Sequence, residues 1–257
     1  MSLTYEERKE TILSRLEMEG KIQVHALAGL FNVTTETIRR DLDRLEKEGR
    51  LRKVYGGAVR MRSEMTEPTF LRRSQMQLSE KQAIGQLAAS LVRDGETVIL
   101  DNGTTTLEIM RALKNRAQVT VITNSAPILS CALEGFQGKL IFTGGEVNPL
   151  YQAATGVIAH ELLDQFKVNK AFISAGGVSL ADGITDYHLD EALISRKMIQ
   201  RTEEAILVAD HTKFGVTTFA QIAPIEGIAM VLTDSGCSRE WLDAFARLDI
   251  EVLVGAQ

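Results

Sequence analysis

From residue 79 onward, short apolar runs alternate with helical patterns, and this alternation limits the fold more than any other feature. The runs are TVILD (97–101), VTVIT (119–123), KLIFTG (139–144), KAFISA (170–175), AILVAD (205–210), AMVLTD (229–234) and IEVLVG (250–255). Between them lie TLEIMRAL (106–113), APILSCAL (126–133), GVIAHELLDQF (156–166), LDEALISRKMIQRT (189–202) and REWLDAFARL (239–248). Strands rich in Val and Ile that are apolar throughout are buried on both faces. Strands spaced by helices pair in parallel, so the pattern predicts a mainly parallel sheet covered by helices on both sides. An opening helix from Ser79 is expected to bury Ile84, Leu87, Ala88 and Leu91, with Gly95 ending it.

The residues that follow the strands carry the chemistry. ILDNGTTT joins Asp101 to Gly103 and then to Thr104, Thr105 and Thr106 at a helix start. VITNS places Asn124 after a strand, and IFTGG does the same for Gly144. ISAGGVSLADGITDYHLDE brings Gly176, Gly177, Asp182 and Gly183, and LVADHTKFG brings Asp210 and Lys213. Ligands of open α/β sheets bind outside the carboxyl ends of strands. Hydroxyls and free N–H groups at a helix N-terminus suit an anion such as phosphate, with a lysine adding a point charge. A strand-to-helix turn rich in Gly and Thr is also common in purely structural units; the coincidence of five polar strand ends favours a pocket. Position 105 is expected to face solvent. His188 and His211 with Asp190 and Glu191 match no metal-ligand spacing, and hydrogen bonds or sugar contacts suit them better. No metal and no cofactor is implied.

The first sixty residues have a different texture. Residues 1–62 carry 13 Lys+Arg against 10 Asp+Glu, whereas the remainder carries 16 against 24, in a chain of net charge −5. Three helical patterns succeed one another. The first stripes Ile12, Leu13 and Leu16 and stops at Gly20; the second groups Leu27, Leu30 and Phe31. The third, in VTTETIRRDLDRLEKEG, takes Thr34 as N-cap and Gly49 as its left-handed end. Ile38, Leu42 and Leu45 recur at i, i+4 and i+7, which turns Glu36, Arg40 and Lys47 outward with Thr37 and Arg39 on the flanks. GRLRKVYGGAVRM then reads as a basic hairpin around Gly56-Gly57, with Arg50, Arg52, Lys53, Arg60 and Arg62 along it. Three helices and a basic hairpin make a winged helix-turn-helix, whose recognition helix lies in the major groove and whose wing holds phosphates. The candidate DNA-facing residues are Thr35, Glu36, Thr37, Arg39, Arg40, Arg52, Lys53, Tyr55 and Arg60. An amphipathic hairpin with solvated charges is the bland reading; the ordered set is far more specific.

The segment VTTETIRRDLDRLEKEGRLRKVYGGAV resembles the signature of the DeoR family of bacterial transcriptional regulators. LDNGTTT, VITNS, TGGEV and ADHTKFG match that family's C-terminal domain in order, so the likeness spans nearly the whole chain. TDYHLDEALISRKMI is most like its glycerol-3-phosphate-responsive branch. The resemblance implies a sensor domain with the fold of ribose-5-phosphate isomerase that binds a phosphorylated sugar or polyol. Gly103 and Thr104 to Thr106 would hold the phosphate, and Asp101, Asn124, Gly144, Gly176, Gly177, Asp182, Gly183, Asp210 and Lys213 would line the rest. Asn169 stands where many relatives have Asp.

Domains are therefore expected at 1–62 and 79–257, joined by a polar linker at 63–78 with a helical turn near Phe70. The expected partners are double-stranded operator DNA, the effector, and further copies of the chain as a homodimer or homotetramer, with helices 155–166 and 239–248 as the interface. An alternative is a phosphosugar isomerase with an appended DNA-binding module, but isomerisation needs a base above the substrate carbon. LADGITDYHLDE keeps acids without the arrangement of that enzyme's DGADE segment. No apolar run reaches the ~20 residues of a membrane span. The N-terminus lacks a signal peptide's apolar core, and Cys131 and Cys237 suggest neither a disulfide nor a metal knuckle, so a cytoplasmic location is expected. Met61, Met65 and Met76 are expected to fill a core or an interface.

Overall fold

The structure is a computed structural model that describes residues 4–19, 21–48, 50–60 and 67–256. Gly20, Gly49, Met61, Arg62 and Met65 lie outside the described residues. The chain divides into two compact units, residues 1–66 and 67–257.

The first unit runs α1 (Tyr5–Glu19), β1 (Lys21–Gln23), α2 (Val24–Phe31), α3 (Thr35–Lys47), β2 (Leu51–Val54) and β3 (Gly57–Arg60). Ile12, Leu16, Leu27, Phe31, Ile38, Leu42, Leu45 and Leu51 form its core. Leu30, expected inside, is 47% exposed, because α2 is only eight residues long and turns that side to solvent. Asn32 ends α2 in the left-handed region (φ 52°), its N–H returning to Ala28 and Gly29 carbonyls. The antiparallel sheet has the order β1-β3-β2, so the wing gains a third strand that periodicity did not reveal. The turn is Tyr55-Gly56, with Gly56 at φ +79°, and not Gly56-Gly57. Gly57 opens β3, where a Cβ would stand 2.0 Å from the Ile22 carbonyl oxygen. A buried ion pair ties α1 to α3: Arg8 donates from Nε to Asp41 Oδ2 at 2.7 Å and from Nη2 to Oδ1 at 3.1 Å.

In the second unit, α4 (Phe70–Gln75) and α5 (Leu78–Ser90) lead into the sheet strands β4 (Thr97–Leu100), β5 (Thr120–Thr123) and β6 (Lys139–Phe142). Helices α6 (Thr104–Ala112) and α7 (Ala126–Leu133) connect them. The hairpin β7 (Glu146–Asn148) and β8 (Ala153–Thr155) precedes α8 (Gly156–Asp164). Then follow β9 (Val168–Ile173), β10 (Gly177–Ser179), β11 (Gly183–Asp186), α9 (Leu189–Gln200), β12 (Thr202–Val208), β13 (Ala220–Ala223), β14 (Met230–Asp234), α10 (Arg239–Arg247) and β15 (Glu251–Gly255). All seven runs named from the sequence enter one parallel sheet of order β15-β14-β12-β9-β4-β5-β6. Successive strand residues serve opposite faces. Val98, Leu100, Phe172, Ile206 and Leu232 pack under α5 to α7, while Ile99, Ile173, Leu207 and Val231 pack with residues of α8 to α10. A separate antiparallel sheet, β10-β11-β13, holds the glycine-rich segment.

Residues 67–78 are part of this unit and not a linker. Phe70 is buried in the core, and Glu67 pairs with Arg73 at 2.6 Å. Lys81 of α5 donates from Nζ to the Arg73 and Met76 carbonyls, each at 2.6 Å, and burial draws its pKa down to about 8. Met76 itself is exposed. Helix α5 ends at Ser90, and Gly95 (φ +88°) serves the following turn. Asn169 accepts the Thr97 N–H at 3.0 Å, fixing the start of β4 beside β9. The chain leaves β4 outward through β5 and β6, then returns to β9 on its other side and continues outward. The carboxyl ends of β4 and β9 thus flank the point where strand order reverses, where open α/β sheets bind ligands.

Candidate functional site

In the first unit, Thr34 caps α3 by accepting the Thr37 N–H at 3.2 Å, and the two hydroxyls lie 3.0 Å apart. The next residues are thereby presented in helical geometry: Thr35 and Thr37 half-buried, Glu36, Arg39 and Arg40 exposed. Arg39 Nη1 lies 3.4 Å from Glu36 Oε2, a solvated contact of little energy. Lys53 on β2 is an ion-pair partner of Asp43, and its N–H donates to Glu46 Oε1 at 2.8 Å. Tyr55 stands fully exposed at the hairpin tip. Arg52 and Arg60 lie on β2 and β3, with side chains outside the described set.

In the second unit, the β4–α6 loop is tightly built. Asp101 is buried and accepts from Asn102 N–H (2.8 Å), Ser195 Oγ (2.8 Å), Ser174 N–H (3.2 Å) and Ser174 Oγ (3.3 Å). Burial pushes its carboxyl up to about 7 against those hydrogen bonds. Gly103 has extended backbone (φ −174°); its lack of a side chain matters because a Cβ would stand 2.6 Å from Ser174 Oγ. Having no side chain, it also gives α6 no cap. Thr106 uses its hydroxyl inside the loop, on the carbonyls of Asp101 (2.7 Å) and Gly103 (2.9 Å). Thr104 and Thr105 are each 6% exposed, so position 105 does not face open solvent as expected. Among the described residues neither hydroxyl has a hydrogen-bond partner.

The other strand ends divide. Asn124 is buried; its side-chain amide donates to the Ala154 carbonyl at 3.1 Å and its Oδ1 has no partner. Asp210 accepts the Thr212 N–H at 3.1 Å and caps the turn that carries Lys213. Lys213 is half-buried and has no ion pair among the described residues; its charge contributes a lowering of the pKa at both Glu67 and Lys81. Gly144 sits at φ +64° with open space around it. Gly176, Gly177 and Gly183 serve chain packing: a Cβ would meet the Tyr187 ring (2.9 Å), Val216 O (2.4 Å) and Ala223 O (2.3 Å) respectively. Asp182, exposed, accepts from Thr217 Oγ1 at 2.9 Å and Ser179 Oγ at 3.4 Å, closing the β10–β11 turn and making no polar contact with the β4–α6 loop.

Sequence reasoning missed several partners. Asn102 donates from Nδ2 to Glu191 Oε1 (2.6 Å) and the Tyr151 carbonyl (3.0 Å). Burial, then the neighbouring Asp186, raises Glu191 to about 9; burial also raises Asp186 and Glu67. Asn102 sat inside the quoted ILDNGTTT, and the pairing of Ser174 with Asp101 was signalled only by the adjacency of their strands. Glu67 carried no signal at all. His211 does not join His188: its Nδ1 lies 2.8 Å from Asp234 Oδ2. Burial raises Asp234, but N–H donation from His211 and Gly236 outweighs it and holds the carboxyl low.

The DeoR-like helix-turn-helix domain profile matches residues 8–64, and that of the DeoR C-terminal sensor domain matches residues 76–235. The chain belongs to the DeoR family of transcriptional regulators. This DeoR-family chain is 33% identical to the HTH-type transcriptional repressor GlcR of Bacillus subtilis, covering 98% of the chain and 97% of GlcR. It is 32% identical to the HTH-type transcriptional regulator GolR of Listeria innocua over 96% of the chain and 98% of GolR. Identity to the HTH-type transcriptional regulator IolR of Bacillus subtilis is also 32%, with 92% of each chain covered. Among solved structures, ribose-5-phosphate isomerase A of Methanocaldococcus jannaschii aligns with 54% of the chain and 55% of its own at TM-score 0.41 and 19% identity.

Proposed function

We propose that this DeoR-family regulator represses a sugar or polyol catabolic operon and leaves its operator when a phosphorylated sugar or polyol binds the second unit. The observation that carries the effector reading is the start of α6. An uncapped helix N-terminus sits at the switch point of the sheet, where the hydroxyls of the largely buried Thr104 and Thr105 have no hydrogen-bond partner among the described residues. Free N–H groups and the helix dipole favour an anion there. Lys213 supplies a half-buried cation beyond the end of β12, on the far side of β9 from β4. The strand-end acids support sensing over isomerisation: Asp101, Asp182 and Asp210 are all engaged in holding loops. GlcR, whose name makes it a repressor, aligns over nearly the full length. The test is operator release: fluorescent operator, selected from a random duplex pool, is titrated with a panel of phosphorylated sugars and polyols. Failure of the whole panel to displace DNA would sink the inducer reading. Operator binding places the protein in the cytoplasm; among the described residues no helix is long and apolar enough to cross a membrane.

The first turn of α3 and the wing form the proposed DNA face. Arg40, exposed and unpaired among the described residues, is the base reader, since arginine bridges guanine O6 and N7. Arg40→Ala is expected to cost ~1–3 kcal/mol of operator discrimination. Lys53→Ala should weaken all duplexes alike and flatten the salt dependence. Equal loss on operator and random DNA for Arg40→Ala would make it a phosphate contact instead.

A symmetric dimer or tetramer on repeated half-sites follows from the small contact of one winged module. The surface of α8 fits this, with Val157 and Ile158 70% and 64% exposed. Helix α10, the other candidate, buries Phe245 in the core of its own unit and carries the solvent-exposed ion pair Arg239–Asp243. Ile158→Asp should shift the protein toward monomer in light scattering; an unchanged mass would remove α8 from the interface.

A further inference from the structure

Glu67, His188 and Glu191 come from three parts of the second unit: the segment before α4, the residue before α9 and the first turn of α9. One carboxylate oxygen from each glutamate and one ring nitrogen of His188 lie within 4.8 Å of one another. Glu67 spends one oxygen on Arg73 Nη1 at 2.6 Å and holds the other 3.4 Å from His188 Nε2. Glu191 spends one oxygen on the Asn102 amide at 2.6 Å. Asp186 accepts the His188 backbone N–H at 3.0 Å.

Two orphaned atoms point to an occupant. His188 Nε2 is buried without a hydrogen bond, since its approach to Glu67 lacks the geometry of one. Asn102 is 7% exposed, and Oδ1 of the same amide whose nitrogen reaches Glu191 has no partner either. Buried polar groups in native structures are nearly always paired, and two such atoms left without a partner beside two carboxylates leave room for a cation, which the neutral imidazole would accept at Nε2. The imidazole decides which kind. Magnesium and calcium take oxygen ligands, whereas an imidazole nitrogen with carboxylates suits manganese, iron or zinc. The ring packs against the Tyr151 ring at a centroid distance of 4.6 Å, and Asp186 holds the backbone that carries it. Arg73 holds Glu67 by one oxygen and leaves the second for the ion.

We propose that Glu67, His188 and Glu191 form a binding site for a divalent transition-metal ion, with the Asn102 amide oxygen beside it. Its three ligands are not among the residues assigned to the phosphate, but Asn102 belongs to the same β4–α6 loop and the charge of Lys213 acts on Glu67, so the two sites adjoin. The consequence of the metal site is local: an ion there ties the first residues of the second unit to α9.

The test uses the full chain after dialysis against a chelator. Mn2+ is titrated while free ion is followed by electron paramagnetic resonance, and Zn2+ is used as competitor. One Mn2+ per chain, displaced by Zn2+, is expected, with a pulsed-resonance nitrogen coupling from the imidazole. Glu191→Gln should weaken binding roughly tenfold or more, and His188→Gln should abolish the nitrogen coupling. Metal should also raise the unfolding midpoint of the wild type by mass action. If a variant fails to fold, the wild-type stoichiometry and nitrogen coupling decide alone. No stoichiometric binding of either metal, a bound Mn2+ without nitrogen coupling, or unchanged affinity in folded Glu191→Gln would each overturn the site.

Discussion

Arg8→Met should abolish DNA binding while leaving the second unit folded. Asp41 is 6% exposed, and the hydrogen bonds described for its carboxylate come from Arg8, at 2.7 and 3.1 Å. Removing one partner of a buried ion pair costs ~3–5 kcal/mol, because the remaining charge stays in a poor solvent. A module of some sixty residues has only ~3–9 kcal/mol in total at ~0.05–0.15 kcal/mol per residue. The loss is therefore comparable to the whole stability of the first unit. The pair joins α1 to α3, so what fails is the support of the recognition helix rather than a DNA contact. Calorimetric melting should show an early transition for the first unit and an unshifted one for the second. The double variant Arg8→Met/Asp41→Leu should recover most of the loss, since a packed apolar pair can replace a buried ion pair. If the single variant keeps wild-type melting and operator affinity, the pair contributes little.

The elements legible in the sequence are those that carry their own signal. The seven sheet strands are runs of Val, Ile and Leu buried on both faces, and such a run announces itself wherever its partners are. Helix α3 was equally legible, because Ile38, Leu42 and Leu45 and the Thr34 cap are all local. Strands β1, β7, β8, β10, β11 and β13 are three or four residues long; β1 and β13 owe their existence to pairing with distant segments, and β7–β8 and β10–β11 to short hairpins without a marked apolar pattern. Nothing in KIQ or GVS specifies a strand by itself. Residues 67–78 misled for a related reason: around Pro68 the segment is polar and linker-like, and only tertiary structure shows Phe70 entering the core. In the proposed effector site, the β4–α6 loop stands out in the sequence because an acid, a glycine and three threonines at a strand end form a local pattern. Gly176, Gly177 and Gly183 were not, since a glycine demanded by a neighbouring chain looks the same as one demanded by a ligand. The grouping of Glu67, His188 and Glu191 depends wholly on the fold.

Thr105→Glu should produce a repressor blind to its inducer. Residue 105 is the second residue of α6, where a carboxylate is favoured by the helix dipole and by the free N–H groups of the first turn. Thr105 is 6% exposed at the start of α6, and the new side chain would compete for the place where the phosphate is proposed to bind. The carboxylate would meet the same donors as the ligand. The fold should therefore survive while the ligand is excluded by both charge and volume. Thr105→Val is the milder counterpart: it removes one hydroxyl and keeps the shape. A hydrogen bond to a charged group contributes ~1.5–3 kcal/mol, so affinity for the effector should fall by about one to two orders of magnitude. Operator binding by either variant should match wild type, since the DNA face belongs to the first unit. Coupling between sites is reciprocal: operator must weaken effector binding by the factor with which effector weakens operator binding. Calorimetric titration of effector into free wild-type protein and into its operator complex measures that factor, and Thr105→Glu should give no heat in either. Full effector affinity in Thr105→Glu would move the phosphate away from α6. Equal wild-type affinities with and without operator would leave a pocket that binds its ligand but does not control DNA.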